Sequence, residues 1–237
     1  MSTVIDVTPY IDKRNIALWD ELKSSDLSIT IEKSNEPNYG CINEGTNIKI
    51  LVPLSNPNPA SFAHELLHIR FRKNGVFAGG CLKQTILEHP LLKDIISEGT
   101  LDSIANSMEH VKMLPHFLNM GYERSEFLAD YNESKFDISE CQLFCLLYES
   151  ERLSIIERIL GTYCAMRADC NPAHNYDECY SLLKSIDEYL YSIIEKFWGD
   201  WLQYDVEKKR DFLEPDYGPM ISDFVHRLAD YISEIEY

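Results

Sequence analysis

The stretch that most constrains how this chain can fold is residues 47–75, where a strand, a break and a helix follow one another around His64-Glu65-Leu66-Leu67-His68. Asn47-Ile48-Lys49-Ile50-Leu51-Val52-Pro53-Leu54 alternates in polarity and is rich in β-branched residues, the pattern of a short strand, with Pro53 tolerable only near its end or on an edge. Ser55-Asn56-Pro57-Asn58-Pro59 breaks the chain. Asn58 suits the N-cap and Pro59 the first helical position, where a missing amide hydrogen costs nothing, so a helix is predicted over Pro59–Lys73. Asn74-Gly75 ends it, with Gly75 as a left-handed cap.

Within that helix Phe62, Leu66 and Ile69 share one side while Leu67 and Phe71 flank the histidines, so apolar groups occur nearly all round and the helix should be buried. Buried imidazoles and a buried carboxylate need partners, which a metal ion with bound water supplies. Four residues is slightly more than one helical turn, so His64 and His68 present their rings to one ion and Glu65 reaches the water on it. HExxH on a helix is the zinc metalloprotease pattern, with the glutamate as general base. The bland reading of the same residues is two core histidines bonded to backbone, with Glu65 paired to Arg70 or Arg72.

Strand, turn and HELLH helix together resemble the core of the zincin metallopeptidases, over roughly residues 28–73. The resemblance implies Zn2+ as cofactor and a strand, here Ile48 to Pro53, lying along the cleft and pairing with substrate backbone. A catalytic zinc site has three protein ligands and an open position, so a third must come from elsewhere. The metzincin continuation is absent, since the histidine after His68 is His89. In Asp102-Ser103-Ile104-Ala105-Asn106-Ser107-Met108-Glu109-His110 the polar Asn106, Glu109 and His110 oppose Leu101, Ile104, Met108 and Val111, which resembles the glutamate-bearing second helix of gluzincins. On that likeness the metal ligands are His64, His68 and Glu109. His110 is then a catalytic donor to the developing oxyanion, or itself the third ligand. The same pattern also fits the solvated face of an amphipathic helix. Glu126, in Glu123-Arg124-Ser125-Glu126-Phe127-Leu128-Ala129-Asp130, is a rival ligand through a weaker similarity to the ImmA/IrrE family of regulatory peptidases, against the plainer role of an exposed acid at a helix start.

The expected activity is hydrolysis of a peptide bond through a zinc-bound water activated by Glu65, in a protein or peptide substrate. The alternative, from another class, is a non-catalytic helical interaction protein with a structural or regulatory metal site. A net charge of −17, spread along the chain, repels phosphate backbones and argues against nucleic acid as a ligand. It favours a basic substrate or partner, though solubility explains it equally well. No segment approaches a membrane span, and Met1-Ser2-Thr3-Val4-Ile5-Asp6 lacks a basic region followed by an apolar run, so a cytoplasmic protein is expected. Seven cysteines, an odd number, point to reduced thiols, with Cys141 and Cys145 as small buried hydrophobes. The oligomeric state is not legible.

The fold class expected is α+β, mainly α: a small N-terminal β-sheet with a zincin-like active-site helix, followed by a helical bundle. Strands are predicted at 28–32, 38–42 and 48–54, and helices near 83–97, 100–119, 123–134, 139–168, 175–204 and 218–235, with a possible kink at Pro115. Leu183, Ile186, Leu190, Ile193 and Phe197 read as the core face of the bundle. Residues 1–120 form the zincin-like metallopeptidase core in this reading and 121–237 a helical region packed on it, in one continuous domain.

Overall fold

The alternation that ends at Pro53 becomes the middle of a three-stranded sheet. The computed structural model describes residues 5–208 and 216–235. In it β1 (Ser28–Ser34) runs parallel, and β2 (Gly40–Glu44) antiparallel, to the central β3 (Asn47–Pro53). Ile48, Ile50 and Val52 are all at most 1% exposed, so every second side chain of β3 enters the core. Gly45, at φ +64°, lies in the tight β2–β3 turn, a conformation that costs glycine little.

The helices are α1 (Ile16–Lys23), α2 (Pro59–Lys73), α3 (Ala78–Glu88), α4 (Glu98–Asn119), α5 (Ile138–Leu147), α6 (Arg152–Ala168), α7 (Asp177–Ile186), α8 (Glu188–Gln203) and α9 (Gly218–Ile235). The architecture is α+β and mainly α. Its α2 has the predicted bounds. The Asn58 side chain accepts from the amides of Ala60 (2.9 Å) and Ser61 (3.2 Å), satisfying two otherwise orphaned donors. At the other end Gly75, at φ +77°, lets the amides of Gly75 and Val76 bond the carbonyls of Arg72 and Phe71, each at 2.9 Å.

Other elements depart from expectation. Residues 123–134 form only a 3-10 turn at Arg124–Glu126, and α3 starts five residues before the predicted 83. The predicted 139–168 helix is two, α5 and α6. The predicted 175–204 helix breaks at Asp187, whose backbone is extended and whose carboxylate caps α8 through the Leu190 amide at 2.8 Å. That carboxylate also receives the hydroxyls of Tyr148 and Tyr231. Apolar spacing continues across the break, so periodicity does not reveal it. α4 passes through Pro115, at an exposed position, without interruption. Cys141 is buried, but Cys145 is exposed, because α5 turns Cys141, Phe144 and then Tyr148 inward.

By their contacts the residues group into two units interleaved along the chain. The first comprises Met1–Val76, Met113–Asn132 and Val206–Lys209, the second Phe77–Lys112, Glu133–Asp205 and Arg210–Tyr237. α4 contributes its first part to the second unit and its last two turns to the first. In the first unit a polar knot holds the start of α2. Asn15, wholly buried, donates to the carbonyls of Tyr10 and Pro59, each at 3.0 Å. The Tyr122 hydroxyl is shared between Asp12 Oδ1 (3.1 Å) and the Pro59 carbonyl (3.2 Å). Burial first, and then the Asp12 carboxylate, push the Tyr122 phenol far above its usual range, so it stays a neutral donor.

In the second unit Leu183, Leu190, Ile193 and Phe197 are buried as the core face requires, whereas Ile186 is half-buried. Phe197 stacks on Phe224 at 4.3 Å, and the Trp201 indole donates to the Met108 carbonyl at 2.8 Å. Close approach of α3 and α4 depends on Gly79, where a Cβ would fall 2.6 Å from Ala105 Cβ and 2.8 Å from its Cα. Gly79→Ala is therefore expected to cost about 1–3 kcal/mol through overpacking, seen as a lower urea midpoint with unchanged slope.

Candidate metal centre

His64 and His68 stand one turn apart on α2, as their spacing requires. Their Nε2 atoms are 3.2 Å apart and their ring centroids 5.0 Å. His64 is 8% and Glu65 7% exposed, so both groups are held inside the fold. Among the described residues one group of three side chains can hold a metal ion: His64, His68 and His110, whose ligand atoms all lie within 4.8 Å of one another.

The third member rides on α4. His110, Met113 and Phe117 are spaced three and four apart and share one stripe of that helix. Met113 and Phe117 are fully buried in the first unit, where Phe117 packs on Phe127 at 5.1 Å and Phe127 on the His64 ring at 4.8 Å. Phe117 thus joins the aromatic cluster around His64. Glu109 is not in the three-residue group. One residue along a helix rotates a side chain by about 100°, which puts Glu109 on the stripe of Lys112 and His116. The residue of this helix that joins the group is His110, the second choice from sequence.

Glu126 is also outside the group. It is exposed, accepts the Glu123 amide at 2.8 Å in a capping box, and lies 3.8 Å from Arg14. Asn106 is exposed as well. The strand role implied by the zincin likeness is altered too. β3 is paired with β1 along its length and with β2 as far as Leu51, so Ile48 to Leu51 have no open edge for a substrate backbone.

A cleft of about 920 Å³ opens beside His64 and Glu65. Its walls are the 34–39 segment after β1, the 53–58 segment before α2, and residues 125–129, all in the first unit. The volume is near the upper end of the roughly 300–1,000 Å³ of ligand sites. Tyr39, on one wall, accepts the Asn58 amide at 2.7 Å, and burial holds its phenol above the usual range. Sequence reasoning missed these walls and the Phe127 contact, because loop segments have no periodicity. The spacing of His110 with Met113 and Phe117 was the signal available for the third member of the group.

No protein-family model, curated protein or solved structure matches this chain. The site must be read from its own chemistry.

Proposed function

We propose that this chain is a zinc-dependent metallopeptidase of the zincin type, acting on a peptide bond of a protein or peptide. The observation that carries the reading is the convergence of three imidazoles beside a buried glutamate at the wall of an open cleft. The donor set fits zinc. Imidazole nitrogens are ordinary zinc ligands, and the two α2 imidazoles stand 3.2 Å apart with all three ligand atoms within 4.8 Å of one another.

Three protein ligands leave a fourth position for the reaction. When bound, zinc supplies Lewis acidity, lowering the pKa of water towards about 7 and polarising the scissile carbonyl. The Glu65 carboxylate accepts the proton of the attacking water and delivers it to the leaving amine. Phe127 packs against the His64 ring and fixes its orientation. The open cleft favours this reading over a purely structural metal site, which would be closed by protein on all sides. We propose a cytoplasmic location from the seven cysteines, all free in the structure, since thiols stay reduced there. No described helix is long and apolar enough to cross a membrane.

The test is metal removal. Zinc-loaded chain is expected to release new termini from a denatured protein digest, detected by mass spectrometry, to lose that activity on stripping with 1,10-phenanthroline, and to regain it with added Zn2+. Cleavage by the stripped chain, or none by a chain holding stoichiometric zinc, overturns the reading.

A further inference from the structure

The cleft beside Glu65 has a one-sided charge. Among the described residues its charged lining is Glu36, Glu65 and Glu126, with no Lys or Arg, although the chain has 22 of them. Arg14, 3.8 Å from Glu126, is engaged with Asp12 at 2.6 Å. Glu65 is assigned to proton transfer, which leaves Glu36 and Glu126 without a part in the chemistry. Glu36 is exposed in the segment between β1 and β2. The contacts of Glu126 with the Glu123 amide and Arg14 both use Oε2, and a carboxylate carries a second acceptor oxygen.

We infer that this cleft selects peptides bearing Lys or Arg next to the scissile bond, and that Glu36 and Glu126 on opposite loop segments recognise the cation. The inference rests on the peptidase reading for its site and deepens it to a substrate class. Long basic side chains suit such a cleft in two ways. Their methylene stems can lie on apolar surface while the charged head reaches a carboxylate, and the lining offers Leu54, 59% exposed, with Pro37 and Pro53. A cleft lined by one sign of charge also concentrates the opposite charge, and the net −17 of the chain acts in the same direction. Acidic peptides meet repulsion from the same groups.

Labelled decapeptides of one apolar sequence carrying two Lys, two Gln or two Glu test this by fluorescence anisotropy. Binding is measured to zinc-loaded Glu65→Gln chain and cleavage with the unsubstituted chain. The Lys peptide is expected to bind about tenfold more tightly than the Gln peptide at low salt, since each exposed pair contributes a few-fold. The ratio should shrink at high salt and approach one in Glu36→Gln/Glu126→Gln. Glutamine can still accept the Glu123 amide, so the capping box is kept, and Glu36→Gln alone, on an exposed segment, gives part of the effect. Equal binding of Lys and Gln peptides, or a ratio unchanged in the double variant, overturns the inference. Selective binding with no cleavage by the unsubstituted chain keeps the recognition of the cation by Glu36 and Glu126 and removes the peptidase reading. Cleavage of all three peptides at one rate does the reverse.

Discussion

Glu65→Gln is expected to leave one zinc ion bound per chain and to slow peptide cleavage by roughly 10²–10⁴-fold, the usual contribution of a positioned general base. Glutamine has the size and hydrogen-bonding reach of glutamate, so at a site 7% exposed it preserves packing while losing the ability to take a proton. The three imidazoles are untouched, and metal content by mass spectrometry should match that of the unsubstituted chain. The two measurements together discriminate. Loss of turnover with zinc retained assigns the proton transfer to Glu65. Undiminished turnover removes Glu65 as base, and loss of zinc alongside turnover would make its role structural.

His110→Ala should lower zinc affinity by about 100-fold or more, whereas Glu109→Ala should leave zinc stoichiometry unchanged. Partners that merely orient a ligand are worth about 10–100-fold in affinity, so loss of a ligand lies at or beyond the top of that range. The contrast rests on neighbouring residues of one helix. His110 shares a stripe with Met113 and Phe117 and joins the other two imidazoles within 4.8 Å, and Glu109 does not. Competition against a chromophoric chelator measures both variants in one buffer. If Glu109→Ala releases zinc and His110→Ala keeps it, the ligand set proposed here is wrong and the gluzincin-like assignment stands.

The sequence was most informative where local physics is strongest. Asn58, Pro59 and Gly75 bound α2 through hydrogen bonds closed within a few residues, and the observed caps involve those same residues. The alternation of Ile48, Ile50 and Val52 marked the core face of β3, and the HExxH spacing brought His64 and His68 together because a helical turn has one geometry. Failures occurred where distant residues decide. Asp187 ends α7 by capping α8 and receiving two tyrosine hydroxyls from remote helices, while the apolar spacing runs on without a sign of it. Residues 123–134 have helical composition but form a 3-10 turn that contributes to a cleft wall.

What the sequence determined by itself was the strand–turn–helix unit, the pair of imidazoles and the acid between them, since each depends on backbone periods of two or 3.6 residues. Only the tertiary structure decided that His110 and not Glu109 meets them, that β2 covers β3 as far as Leu51, and that Glu36 and Glu126 face one cleft. Periodicity says which residues share a face. It carries no information about what that face meets, because that is set by long-range packing of apolar side chains such as Phe117 and Phe127.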